Sequence, residues 1–146
     1  MSGLKSKEKG KAGEREVVKL LQPMVDNACE VVGVEKIQLI RNQNQSAIGG
    51  HDIDGIPFMA IEVKRAETLK LDEWWKQALA QAGTDKVPIL VFRQDYCRWR
   101  YCIQVSIPCW DNAGDIKARA EVTAKVFNEW FQRVLIQYLR EDKGGN

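Results

Sequence analysis

The sequence predicts an α/β domain, a small mixed central β-sheet flanked by helices, with a long helix at the C-terminal end. Three observations predict it. Val17, Val18, Leu20 and Leu21 recur with the spacing of one helical stripe near the start of the chain. Phe58 to Lys64 and Arg98 to Ile107 alternate with period two, and Val87 to Phe92 is a short apolar run of the buried-strand kind. After residue 115, Val122, Val126, Phe127, Trp130, Phe131, Val134, Leu135 and Tyr138 return to a helical period, over a face wider than a narrow stripe.

The bulk composition agrees with one globular domain. The chain has 146 residues, 45% hydrophobic and 29% charged. Its apolar runs are far too short to span a bilayer, and the Lys-rich start is not followed by a signal-type apolar segment, so a cytoplasmic protein with no membrane partner is expected. Residues 1–11 read as a flexible basic arm, 12–141 as the domain (12–107 its core, 115–141 its C-terminal helix), and 142–146 as a tail. Net charge is only +2, too mild to identify a nucleic-acid partner by itself. Its distribution says more: Lys5, Lys7, Lys9 and Lys11 crowd the start, and Arg93, Arg98 and Arg100 form a second basic cluster. Both suit phosphate contacts, and a solvated tail explains the first equally well. Cys29, Cys97, Cys102 and Cys109 form no Cys-X-X-Cys pair and read as reduced packing residues; a zinc site from the last three with His51 is poorly spaced.

Taken in order, the first helix starts near Ala12 and carries Glu14 off its apolar stripe, where the helix dipole alone would favour an acid. Pro23 either ends this helix or starts a second one through Val25 to Val32. Ile37 to Ile40 reads as a first strand, and Arg41 to Gly50, polar and glycine-ended, as a loop. Gly55, Ile56 and Pro57 then turn the chain, so that Asp52 or Asp54 approaches Glu62 on the next strand. On that strand Met59, Ile61 and Val63 share one face, and Ala60, Glu62 and Lys64 the other. Residues 71–82 follow as a helix with Leu71, Trp74, Trp75, Ala78 and Ala82 on its apolar side and Gln77 and Gln81 on another. After the strands, Pro108 to Gly114 is a break, and a helix runs from about Asp115 to Arg140, its wide apolar face covered on two sides, by the sheet and by a second subunit.

Two carboxylates at one strand end are hard oxygen donors suited to Mg²⁺ or Mn²⁺, and the adjacent lysine is placed to steady a water or a phosphate. An exposed Glu-Val-Lys taken alone is more simply a surface ion pair.

Asp52, a hairpin turn and Glu62-Val63-Lys64 together resemble the PD-(D/E)XK nuclease superfamily. Lys9-Gly10-Lys11-Ala12-Gly13-Glu14-Arg15-Glu16 with Val17 to Leu21 resembles the opening of the archaeal-type Holliday junction resolvases, a branch of it. The resemblance implies a restriction-endonuclease-like fold and a Mg²⁺-dependent endodeoxyribonuclease, with Mn²⁺ as substitute. It makes Glu14, Asp52, Glu62 and the Val63 carbonyl the metal ligands and Lys64 the water-orienting residue. Asp52, which follows the Gly-Gly bend as the family aspartate does, is favoured over Asp54. Gln77 matches the glutamine that many of these nucleases place beside the metal water. Arg41 and Ser46 fall where the family's loop contacts DNA, and Lys9, Lys11, Arg15 and Arg65 are the expected phosphate contacts around the motifs. The implied substrate is branched DNA, the implied assembly a homodimer, and the implied products a 5′-phosphate and a 3′-hydroxyl. A compact resolvase of this kind suits a phage or mobile element acting in the host cytoplasm. Two other functions stay open: a nuclease of the same superfamily acting on flaps, single strands or damaged DNA, and a non-catalytic DNA-binding module.

Overall fold

The computed structural model describes residues 2–42 and 52–144, with side chains from residue 7 onward. Helix α1 (Ser2–Val32) is followed by strands β1 (Ile40–Arg41), β2 (Ile53–Asp54) and β3 (Met59–Ala66), helix α2 (Leu71–Ala82), strands β4 (Val87–Gln94), β5 (Arg100–Ile107) and β6 (Ile116–Val122), and helix α3 (Ala124–Gly144). The strands form one six-stranded sheet in the order β1-β2-β3-β4-β5-β6. Only β3 and β4 are parallel, joined by the α2 crossover; every other neighbouring pair is antiparallel. This mixed sheet flanked by helices, with a long helix at the end, is the expected restriction-endonuclease-like architecture.

Alternation along β3 sorts the helices onto the two faces. Met59, Ile61 and Val63 join Ile89, Val91, Tyr101 and Ile103 under α1 and α3, whose Val17, Leu21, Val25, Phe127, Phe131 and Leu135 complete one core. Leu90, Phe92 and Cys102, on the other face, are covered by Trp74, Trp75 and Ala78 of α2. Glu62 pairs with Leu90 and Lys64 with Phe92, so both functional candidates lie on the α2 face.

Four expectations are corrected here. Residues 2–11, expected in a flexible arm, are helical and belong to α1; Lys9, anchored to Asp95 just past the end of β4, ties this part of the helix down. Pro23 neither ends nor starts a helix but lies inside α1. An interior proline costs roughly 3 kcal/mol, yet Pro23 itself is exposed, and the fully buried Leu21 before it and Val25, Ala28 and Cys29 after it contribute about 1.5–3 kcal/mol for each of the larger side chains, so packing wins. The helix stops at Gly33, whose positive φ of 80° lets its own N–H and that of Val34 both bond the Cys29 carbonyl. The expected first strand at Ile37 to Ile40 shrinks to Ile40–Arg41.

The last correction concerns the C-terminal helix, which starts not at Asp115 but at Ala124. Ile116–Val122 is instead β6, in register with β5 over seven residue pairs from Ile107↔Ile116 to Tyr101↔Val122. Pairing overrides the helical propensity of Ala118-Arg119-Ala120-Glu121, helped by the fork of Arg100 on Glu121 at 2.7 Å and by Arg119 on Asp72 at 2.9 Å. Thr123 marks the true helix start: its Oγ1 accepts the Val126 N–H at 3.1 Å. The wide apolar face of α3 is covered largely within the chain, Tyr138 stacking on Phe58 and Phe127 on Tyr101, while Val126 stays exposed.

All four cysteines are free thiols, Cys29 and Cys102 buried. Cys97 and Cys109 flank the two ends of the eight-residue β5, a strand about 26 Å long, so they cannot share one zinc. His51 lies outside the described residues. Among the described residues, no helix is long and apolar enough to cross a membrane.

Candidate active site

The site begins with strand register. Ile53 pairs with Ile61, which sets Asp52 opposite Glu62 on the same face of adjacent antiparallel strands. The Asp52 N–H bonds the Ile61 carbonyl at 3.0 Å, and the Asn42 N–H bonds the Asp52 carbonyl at 2.8 Å. The expected turn makes this register: Gly55 has φ 132°, and a Cβ there would meet Leu39 Cδ2 at 3.0 Å and the Gln38 carbonyl at 3.1 Å. Asp52, 7% exposed, accepts the Val63 N–H on Oδ2 at 2.7 Å. Glu62 is 5% exposed and hydrogen-bonds Asp52. The contact between the two carboxyls raises Glu62 and lowers Asp52, so Glu62 is the one of the pair that keeps its proton to the higher pH.

The electrostatics say the same. Burial pushes the Asp52 carboxyl up to about 6; the nearby Glu14 adds to the rise, while the Val63 N–H and Lys64 oppose it. Burial first, then the Asp52 charge, pushes Glu62 up to about 8, against the pull of Lys64. Lys64 follows two residues after Glu62 on the same face and is half-buried. Two buried acids whose ionisation is held back beside one lysine form a pocket short of positive charge.

Helix α1 supplies the third acid. Gly13 is buried against β3 and Trp99; a Cβ there would sit 3.2 Å from Arg65 Cβ and 3.4 Å from the Trp99 ring, so only glycine lets the helix come this close without displacement. Glu14 follows, 7% exposed and 3.4 Å from Arg41 Nη1. Its charge reaches both other carboxyls, yet among the described residues no three acid, histidine or cysteine side chains gather closely enough to chelate an ion. The donor set nevertheless fits a divalent cation in kind. Asp52 and Glu62 are adjacent hard oxygen donors, and burial has made their charged pair costly in a way a cation would relieve. Val63 contributes its N–H to Asp52 and lies between Glu62 and Lys64 on the strand. Asp54 is half-buried at the far end of β2, opposite Ile40. Gln77 is exposed on α2, the helix packed on the Glu62 and Lys64 face.

The expected DNA contacts divide. Arg15 and Lys11 are exposed, Lys11 with Glu8 at 3.9 Å. Lys9, Arg65 and Arg41 are engaged inside the molecule: Lys9 with Asp95 at 2.6 Å, Arg65 with Glu16 at 3.0 Å and Asp95 at 3.6 Å, and Arg41 with Glu14. Arg93 joins them, 3.2 Å from Glu16 with its guanidinium 5.3 Å from the Trp99 ring centre. Lys9, with Arg65 and Arg93 beyond it, holds the Asp95 carboxyl below its usual range. Ser46 lies outside the described residues. Glu16 and Asp95 were not singled out from sequence. The only signal for either was an acid embedded in basic surroundings, Glu16 two residues after Glu14 and Asp95 just after Arg93.

No curated protein and no solved structure matches the chain. A family model described as "Phage putative PDDEXK endonuclease" matches residues 5–138, nearly all of the chain, with Glu14, Asp52, Glu62 and Lys64 inside the match. The chain therefore belongs to the phage PDDEXK endonuclease family and is a nuclease of the PD-(D/E)XK type.

Proposed function

We propose that the protein is a metal-dependent, structure-specific DNA endonuclease that resolves four-way junctions by paired phosphodiester hydrolysis. The observation that carries the chemistry is the buried Asp52–Glu62 pair with Lys64 beside it and Glu14 at its edge. Nucleases of this type generally use a divalent metal, and Asp52, Glu62 and Glu14, with the Val63 carbonyl, are the groups that would hold Mg²⁺ or Mn²⁺. The ion, when bound, neutralises charge on the phosphate. Lys64 holds the attacking water in line and donates to the phosphate oxygens as charge builds there. Gln77 assists from α2. Water oxygen bonds to phosphorus, the P–O3′ bond breaks, and the 3′ oxygen leaves with a proton as hydroxyl, the 5′-phosphate staying on the other fragment. Lys9, Lys11, Arg15, Arg41 and Arg65 bind the backbone, the paired ones by exchanging a carboxylate for a phosphate. These pairs are partly buried, so the phosphate must take over the carboxylate's contacts as it displaces it.

Junction specificity rests on the resemblance of Lys9 to Leu21 and Gly49 to Arg65 to the junction resolvases. Paired cutting needs two sites on a two-fold axis, hence a homodimer. Exposed apolar side chains remain for such an interface: Ile107, Trp110 and Ile116 at the β5–β6 end, and Val126 on α3. A second reading, a monomer acting on flaps, single strands or damaged DNA, is favoured by one fact: Asp52, Glu62, Lys64 and Glu14 all come from one chain. Mapping the cuts on a mobile four-way junction and on flap DNA, with the mass of the active species, separates them. Symmetric paired cuts by a dimer support resolution; cuts on flaps alone by a monomer support the second reading.

A further inference from the structure

The turn between β4 and β5, residues 95–99, plays no part in the chemistry above, yet it displays the most exposed aromatic ring among the described residues. Tyr96 is fully exposed, and its backbone sits at φ 65°, a left-handed conformation that residues with a side chain rarely adopt. An aromatic that buries nothing, in a backbone conformation that is itself unfavourable, does not contribute to the core. The display is nonetheless fixed. The Asp95 N–H bonds the Ala66 carbonyl and the Cys97 N–H bonds the Gln94 carbonyl, both at 3.1 Å, while the Asp95 carboxylate is held by Lys9 at 2.6 Å.

Its place in the fold points to what the ring meets. Strands β3 and β4 run parallel and in register through Ala66↔Gln94, so Tyr96 stands just beyond the sheet end that Lys64 approaches. Lys64 is level with Phe92, and Tyr96 follows two residues after β4 ends at Gln94, so the ring's backbone lies at most about 13 Å further along, within roughly four base steps of a DNA strand. The exposed Arg98 within the turn supplies positive charge, Lys9 being neutralised by Asp95. Beside the turn lies a cavity of about 510 Å³ lined by Cys97, Arg98, Trp99, Arg100 and Thr123 among others. A free π-face beside an exposed arginine is the chemistry that holds a nucleobase. Paired bases inside a duplex already stack on their neighbours and offer no face, so the ligand is an unpaired base.

We propose that Tyr96 stacks on an unpaired nucleobase of the strand whose backbone lies at the carboxylate site, so that the turn selects DNA with unstacked nucleotides within a few base steps of the cut. The inference rests on the nuclease reading and narrows its substrate class.

The test uses the full-length Glu62→Gln protein, alone and combined with Tyr96→Ala or Tyr96→Phe, on branched and flapped DNA carrying 2-aminopurine at successive positions around the mapped cut. Stacking predicts a twofold or larger fluorescence change at one unpaired position, kept by Tyr96→Phe and lost in Tyr96→Ala. It also predicts that Tyr96→Ala weakens binding of these substrates by about 5- to 100-fold and of fully paired duplex by less than twofold. An unchanged fluorescence response in Tyr96→Ala, an equal loss on plain duplex, or a loss in Tyr96→Phe as large as in Tyr96→Ala would each overturn the proposal. A wild-type protein that cuts DNA while Tyr96→Ala is silent leaves the nuclease reading intact and removes only the stacking. A wild type that neither binds nor cuts any DNA removes both.

Discussion

Glu62→Gln should make the metal-free protein more stable at alkaline pH while abolishing cleavage. Glutamine copies the protonated Glu62: its amide can donate to Asp52 as the carboxyl does, without the charge. A carboxyl displaced from 4.5 to about 8 pays roughly 4–5 kcal/mol to ionise at pH 8 relative to the unfolded chain. Part of that cost is shared with Asp52 and Glu14, which leaves roughly 2–4 kcal/mol for the substitution to recover at pH 8 and about 1 kcal/mol or less at pH 5. The sign follows from proton counting. Glu62 and Asp52 both have raised folded values, so between pH 4 and about 8 the folded state binds more protons than the unfolded one, and stability falls as pH rises through that window. Urea unfolding in EDTA at pH 5 and pH 8 measures it. The wild type should lose stability between the two, and Glu62→Gln should lose much less. Equal slopes for the two proteins, or a variant less stable than wild type at pH 8, would refute the claim that Glu62 is a strained buried acid.

Added Mg²⁺ should raise the wild-type melting temperature by several degrees at pH 8 and much less at pH 6, because binding must displace the proton on Glu62; Asp52→Asn and Glu62→Gln should show no shift at either pH in the same thermal scan. Lys64→Met should reduce cleavage by about 10²-fold or more while leaving DNA affinity within about threefold of wild type by gel shift. Asp95→Asn frees Lys9, while Arg65 keeps Glu16, so it should tighten DNA binding and steepen the logarithmic salt slope by about one; an unchanged slope would mean that Lys9 does not reach phosphate. Gly13→Ala trades roughly 1 kcal/mol of gained helix propensity against the tight contacts with Arg65 and Trp99, so unfolding free energy should change by no more than about 1 kcal/mol, whereas cleavage, which needs Glu14 in place, should fall at least tenfold.

Much of this molecule could be read before its structure. Period-two alternation in Phe58 to Lys64 located β3 and its two faces, and the turn at Gly55 implied the antiparallel return that sets Asp52 beside Glu62. What could not be read were outcomes decided by distant partners. Nothing local to Ile116–Val122 says that it will pair with β5, because Ala, Arg and Glu suit a helix as well; Arg100 and Asp72, 21 and 47 residues from Glu121 and Arg119, make the difference. Pro23 looks like a boundary in any local reading, and only the buried residues on both sides keep α1 continuous. The basic residues were legible as charge, but not their acidic partners: Lys9 and Asp95 are 86 residues apart, and Arg65 and Glu16 49 apart. Tyr96 carries no pattern at all, since its exposure and backbone conformation arise from the turn.

The central claim is that the buried carboxylates of β2 and β3 form a metal-dependent nuclease site. The most direct measurement is hydrolysis of end-labelled DNA by wild type and Glu62→Gln, each in Mg²⁺ and in EDTA, with binding followed in parallel. The account predicts cleavage only by wild type and only with Mg²⁺, while Glu62→Gln still binds DNA and unfolds cooperatively. Cleavage by Glu62→Gln at the wild-type rate, or wild-type cleavage undiminished by EDTA, would contradict it.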